Sequence, residues 1–212
     1  MINVRSAENN MHALVIVETR NINNIENIIK GHLKKLNNDW KLIIFHGTNN
    51  FHLFKDLDAI KHNLGTNFSI DQYNKLLSSA GFWFKIPYEK VLIFQHDSML
   101  LRRGIESFLP WDYVGAPWPN PPNGGNGGLS LRSKSVMLKV IAKHKCDTNE
   151  DVYFSRHVPE FGKLAPRYIC EQFSCEMLFK LGTLGYHAIN RHLTTQQCNL
   201  IKTQYPKHIS LL

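Results

Sequence analysis

Three short polar clusters in this sequence follow apolar runs, where an open α/β sheet gathers ligands at the carboxyl ends of its strands. They are Glu18-Thr19-Arg20, His46-Gly47-Thr48 and Gln95-His96-Asp97-Ser98. In a common fold they would face one crevice. Asp97 comes at the end of the run Val91-Leu92-Ile93-Phe94. A carboxylate there is costly unless it meets a cation, a hydroxyl or backbone donors. A divalent ion on a diphosphate would be such a cation, neutralising charge on a leaving nucleotide. The alternative is an Asp that caps a helix over Met99 to Arg103.

Thr148-Asn149-Glu150-Asp151-Val152 is a second acidic cluster. Glu150 or Asp151 could be the base that takes a proton from an acceptor hydroxyl. Thr148 and Asp151 also have the spacing of a capping box, and acidic residues suit a first helical turn. Gly124-Gly125-Asn126-Gly127-Gly128 permits close backbone approach and positive φ. It is no P-loop, because no Gly-Lys-Ser/Thr follows, and it does not open a helix as a dinucleotide fingerprint does. Beside Trp111, Tyr113 and Trp118 it would suit a sugar, with aromatic faces against C–H faces and Asn126 bonding hydroxyls. A stapled surface loop is the alternative. His187 is a candidate ligand for a Mn- or Zn-class ion, or a structural imidazole.

The elements that would position these groups alternate strand and helix. Residues 13–17, 40–45 and 91–94 are short runs rich in β-branched and aromatic residues, which read as buried strands. Ile22, Ile25, Ile28, Ile29, Leu33 and Leu36 mark one face of a helix between the first two. Strand, helix, strand at this length is a βαβ unit with a right-handed crossover. Further helices are expected over 71–83, a short stretch at Ile105 and Phe108, 136–141, 148–155 and 171–181. Short strands are expected at 129–131 and 186–189. Residues 111–128 read as one long irregular segment whose aromatic content argues for function rather than disorder.

The 212 residues suit one α/β domain, and a hydrophobic share of 43% is enough for a core. The expected architecture is a single domain over 1–212 with 1–11 as a flexible N-terminal segment. No run approaches the ~20 apolar residues of a membrane span, and the N-terminus lacks a secretory signal. A cytoplasmic location, the host's for a viral chain, is therefore expected. Cys146, Cys170, Cys175 and Cys198 form no CxxC pair and read as reduced thiols. The net charge of +8 favours anionic partners. The basic residues are scattered rather than set in a stripe with aromatics, so nucleic acid is not the expected partner.

With these residues in view, the chain resembles a domain family of uncharacterised function found in large DNA viruses, fungi and other microbes, related to the GT-A glycosyltransferases. The matching segments are VIVETR (15–20), WKLIIFHGTNN (40–50), YNKLLSSAGFW (73–83), VLIFQHDSMLLRRGIESFL (91–109), DYVGAPWP (112–119), GGNGGLSLR (124–132) and NEDVYFS (149–155), with EQFSCE (171–176) a weaker match. The resemblance implies a GT-A-like, Rossmann-related α/β domain with a mostly parallel central sheet and helices on both faces. It implies a nucleotide diphosphate sugar donor, UDP-linked, and a glycan or other hydroxyl acceptor. The last acid of the family's DxD motif falls on Asp97 and the first on Gln95, which is not acidic. Mn²⁺ or Mg²⁺ would then be held by Asp97 with His187 and the diphosphate. Thr19, Arg20, Gln95, His96, Asp97 and Ser98 would form the donor site. Glu150-Asp151-Val152 looks like the acidic-Asp-Val motif of β-1,3-transferases. That makes Asp151 the catalytic base, with Glu150 beside it, and the reaction inverting. Trp118, Gly125, Asn126, Gly127 and Gly128 would contact the transferred sugar or acceptor. A carbohydrate- or nucleotide-binding module without catalysis is the alternative, and a nucleic-acid-binding domain a more distant one.

Overall fold

The computed structural model describes residues 11–121 and 123–206. The expected flexibility of 1–11 falls, apart from Met11, outside the described residues. Three apolar runs form the centre of the main sheet: β1 (His12–Glu18), β2 (Trp40–His46) and β4 (Lys90–Phe94). Strand β3 (Ile60–Asn63) extends the sheet on one side, and β7 (Asn126–Ser133) and β6 (Tyr113–Ala116) on the other. The order is β3-β2-β1-β4-β7-β6. Strands β3, β2, β1 and β4 pair in parallel, and β7 runs antiparallel to both β4 and β6.

The period-2 alternation of these strands supplies two cores. Leu14, Ile16, Leu42, Ile44, Leu92 and Phe94 face one layer. Ala13, Val15, Ile43, Phe45, Val91 and Ile93 face the other. A sheet apolar on both faces must be covered on both. The first layer is closed by α1 (Ile25–Leu33) through Ile25, Ile28 and Ile29, and by α6 (Arg167–Phe173) and α7 (Thr195–Gln204). The second is closed by α2 (Ile70–Leu77), α3 (Ala80–Phe84), α4 (Lys134–Lys143) and α5 (Glu150–His157).

Local sequence chemistry differs from the expectation at four places. The helix read over 71–83 is two helices, because the Ser78 hydroxyl donates to the Asn74 carbonyl at 2.7 Å and Ser79 becomes the N-cap of α3. The segment 111–128 is not irregular throughout: it contains β6 and the start of β7. Gly115 and Gly125 let these two strands approach so closely that a Cβ on either would lie 2.1 or 2.0 Å from a facing carbonyl oxygen. Asp97 caps no helix, since the chain turns straight into β5 (Ser98–Leu100). Finally, no helix spans 171–181. Helix α6 ends at Phe173, and β8 (Ser174–Cys175) joins β9 (Gly185–His187) and β5 in a small sheet of order β5-β9-β8.

Candidate functional site

Strand β4 ends in a tight turn in which Ser98 Oγ donates to the Gln95 carbonyl at 2.7 Å and accepts from the Gln95 amide at 3.2 Å. Buried in this way, Ser98 shapes the turn rather than facing a ligand. The turn pushes Gln95, His96 and Asp97 out at the sheet's carboxyl edge. Strand β9 pairs antiparallel with β5, Ser98 opposite His187, and so delivers His187 to the same place.

His187 Nε2 lies 3.1 Å from Gln95 Oε1 and 3.4 Å from Asp97 Oδ1. Its Nδ1 lies 3.2 Å from Glu176 Oε1. Glu176 is almost fully buried. Burial opposes the charge on His187, but Asp97 and Glu176 more than reverse this and raise its pKa to about 9. Burial likewise opposes ionisation of Asp97, yet the hydrogen bond and charge of His187, with His96, hold its carboxyl down to about 2. The pair is thus an imidazolium facing a carboxylate at neutral pH.

The same atoms fit a divalent ion. Asp97 Oδ1 is buried and faces His187 Nε2 at 3.4 Å. It converges with an imidazole nitrogen and an amide oxygen, a mixed N,O set suited to a Mn-class ion. Glu176 behind His187 is the carboxylate that commonly orients a metal-bound imidazole.

The Asp97 edge divides two cavities. One, of about 220 Å³, is lined among others by Glu18, Thr19, Phe68, Tyr73, Gln95 and Arg191. The other, of about 460 Å³, is lined by Asn24, Ile28, Tyr186, Ile189 and Asn190. His96, Asp97 and Arg191 line both. Thr19 Oγ1 accepts from the Phe68 amide at 2.8 Å, fixing one wall. Arg20 is held by Glu18 through Nε at 2.8 Å and Nη2 at 2.7 Å, and Nη2 also meets His96 Nδ1 at 3.1 Å. The His46 cluster does not reach the crevice. It packs behind it: a Cβ on Gly47 would lie 2.9 Å from the Thr19 carbonyl oxygen, and buried Asn50 donates to the Glu18 and Arg20 carbonyls at 2.8 Å each.

The glycine segment links this crevice to the second acidic cluster. Gly128 leaves room for His187, whose Nε2 would lie 2.1 Å from a Cβ placed there. The Gly127 amide donates to Asp151 Oδ2 at 3.2 Å. Asn126 turns its own Oδ1 onto the Gly128 amide at 2.6 Å. Gly125 has φ +87° and serves the close β6–β7 contact. Trp118 lines neither cavity. Its carbonyl accepts from Arg167 at 3.3 Å.

The two acids of the cluster diverge. Asp151 is half-buried at the start of α5, where Oδ1 accepts from the Val152 amide at 2.8 Å. Glu150 points inward and binds Arg132 through both oxygens, Nη2 to Oε1 at 3.0 Å. Arg132 is fully buried, with Nε on Ser130 Oγ at 2.9 Å and its guanidinium 4.9 Å from the Tyr113 ring centroid. Burial alone would lower the Arg132 pKa, and Glu150 reverses this. Glu150 is therefore occupied under the site. The capping box expected from Thr148 is absent: Asn149 is the N-cap, and Asn74 holds the turn by accepting from the Glu150 amide at 3.1 Å. Glu176, Tyr73 and Arg191 were missed as site residues. Tyr73, among Gln95, Glu150 and Arg132, has its hydroxyl pKa raised by burial and then by Glu150. The EQFSCE segment carried a signal for Glu176, and Arg191, four residues after His187, carried none.

A family model described as "Protein of unknown function (DUF5672)" matches residues 58–188, more than half of the chain. No curated protein matches. Among solved structures, the apo form of the glycosyltransferase GlyE from Streptococcus pneumoniae TIGR4 superposes with a TM-score of 0.53 at 11% identity, covering 87% of this chain and 55% of that one. A second GlyE structure gives 0.57 at 13% identity with the same coverage. Identities this low carry the fold alone. The fold is α/β and GT-A-like, with a six-stranded central sheet, and the chain spans about 55% of the GlyE length.

Proposed function

The chain belongs to the DUF5672 family of proteins of unknown function, and from that premise, the fold and the crevice we propose that it is a glycosyltransferase that uses a nucleotide diphosphate sugar, UDP-linked, and a hydroxyl acceptor. The observation that carries this reading is the convergence of Gln95, Asp97 and His187 at the carboxyl end of β4, with Glu176 behind His187 and a cavity on either side. Thr19, Arg20 and Phe68 form the wall against which the nucleoside would lie. Arg191 makes no ion pair with a described residue and is free to meet phosphate oxygens.

Asp97, His187 and Gln95 would hold a Mn-class ion, which when bound neutralises charge on the diphosphate. His187 keeps its orientation through Glu176. Asp151, whose Oδ2 accepts from the Gly127 amide at 3.2 Å, would take the proton of the acceptor hydroxyl, which implies inversion at the anomeric carbon. Glu150 and Arg132 hold the Gly127 strand and the first turn of α5 in register, so Glu150 is a positioning residue. Gly127 leaves room for the Arg132–Glu150 pair and Gly128 for the His187 ring.

A second reading, donor binding without a metal, is favoured by the raised pKa of His187. As an imidazolium it would itself supply positive charge to the diphosphate. Thermal unfolding against a panel of UDP- and GDP-sugars, with and without Mn²⁺, tests both, because a ligand bound at 100 times its Kd adds about 2.7 kcal/mol to the native state. A melting shift from one donor that Mn²⁺ enlarges, and that Asp97→Ala abolishes, supports the first reading. A shift indifferent to Mn²⁺ supports the second. No shift from any donor, with or without an acceptor mixture, would remove both. Among the described residues no helix is long and apolar enough to cross a membrane.

A further inference from the structure

We propose that His144, His157 and Glu160 form a second cation site, separate from the crevice, that takes a zinc-class ion. One ligand atom from each of the three lies within 4.8 Å of the others. They come from three elements: His144 is the C-cap of α4, His157 the last residue of α5, and Glu160 ends the 3-10 turn Val158–Glu160. His144 Nε2 already lies 2.5 Å from Glu160 Oε2, while Lys143 engages the other carboxylate oxygen. The two imidazoles stack with centroids 3.9 Å apart and an interplanar angle of 17°.

The cluster is braced from beneath. The Tyr153 hydroxyl donates to the His144 carbonyl at 2.7 Å, and its ring stands 5.4 Å from that of His157. The Phe161 ring lies edge-on to His144 at 6.2 Å. Aromatic groups thus wall the inner side and leave the nitrogen and carboxylate donors toward solvent.

Two imidazoles and one carboxylate are a donor set for Zn²⁺, Co²⁺ or Ni²⁺ rather than for Mg²⁺ or Ca²⁺, with water as the fourth ligand. Ligand atoms at ~2.0–2.1 Å around a tetrahedral ion stand roughly 3.4 Å apart, so closure asks for a shift of about 1 Å. Half-exposed side chains accommodate that by rotation. The ion would take the place of the proton shared by His144 and Glu160. It would tie the end of α4 to the end of α5, across the connection 145–149. Helix α5 carries Glu150 and Asp151 in its opposite, first turn, so the ion would fix that helix from its far end.

The test uses the full chain carrying Asp97→Asn and His187→Gln, which removes the crevice as a competing site. It is titrated with Co²⁺ and Zn²⁺ by calorimetry and visible spectroscopy. The expected result is one equivalent bound, the strong visible absorption of four-coordinate Co²⁺, and affinity weakened about tenfold or more by added His157→Gln or Glu160→Gln. Uptake of neither ion, or binding that survives His144→Gln and His157→Gln within about twofold, overturns the proposal. If the background variant does not fold, wild type and His157→Gln are compared directly. Loss of one Zn²⁺ equivalent then supports the site, and equal stoichiometry overturns it. The inference does not rest on the glycosyltransferase reading.

Discussion

The buried Arg132–Glu150 pair permits a sharp prediction about which acid of the second cluster reacts and which one positions. Both side chains are almost wholly buried, and they meet through two hydrogen bonds. Removing one partner of such a pair leaves an uncompensated charge and costs ~3–5 kcal/mol. Arg132→Met would strand the Glu150 carboxylate and also remove the Ser130 bond and the contact with Tyr113, so it should fall at the upper end, near ~5 kcal/mol. Glu150→Gln keeps the shape and one acceptor for the guanidinium, and should cost ~3 kcal/mol. The double variant Arg132→Met/Glu150→Gln leaves no buried charge and should lose less than the sum of the two, by ~2 kcal/mol or more. Urea unfolding followed by circular dichroism measures this. With a slope of ~2–3 kcal/mol/M, a 3 kcal/mol loss lowers the midpoint by about 1–1.5 M. A Glu150→Gln protein within ~1 kcal/mol of wild type but devoid of transfer activity would refute the reasoning, because Glu150 would then be a reacting group.

Three further outcomes follow from the site. Asp151→Asn should lower turnover by ~10²–10⁴-fold while leaving the donor-induced melting shift in place, as expected for loss of a general base; a variant with unchanged turnover would remove that role. Because the folded-state pKa of His187 is raised from 6.5 to about 9, its contribution to stability is fully present below pH 6.5 and is lost as pH rises through about 9. The melting temperature of wild type should therefore fall over that window relative to His187→Gln, and parallel curves would count against the ion pair. Gly128→Ala would set a methyl group 2.1 Å from the present position of His187 Nε2, so His187 must move; the Mn²⁺-dependent part of the donor shift should shrink by about tenfold in affinity, measured by calorimetry, and full affinity would place His187 outside the metal site.

The elements legible from the chain were those specified by local pattern. Residues 13–17, 40–45 and 91–94 are too short and too apolar on both faces for anything but central strands, and they formed β1, β2 and β4. The isoleucines at 25, 28 and 29 set the buried face of α1 for the same reason. Topology then predicts that polar residues after such strands lie at one edge, which placed Thr19, Arg20, Gln95, His96 and Asp97 on one cavity. Where two local signals compete, the pattern fails. Gly115 and Gly125 read as loop, yet only their missing Cβ atoms let β6 and β7 pair. Residues 171–181 have helical composition, but pairing with β9 ends the helix at Phe173.

The sequence by itself determined the layered α/β class and the edge at which two of the three polar clusters meet, because both follow from short-range periodicity and from the direction of parallel strands. Only the tertiary structure decided which of those groups touch. His187 reaches Gln95 across 92 residues of chain. Glu176 turns behind His187 because a two-residue strand replaces an expected helix. Glu150 and Asp151 are adjacent in sequence, yet helix α5 turns one inward to Arg132 and the other toward Gly127. Contacts of this kind depend on burial and on long-range pairing, which no local spacing encodes.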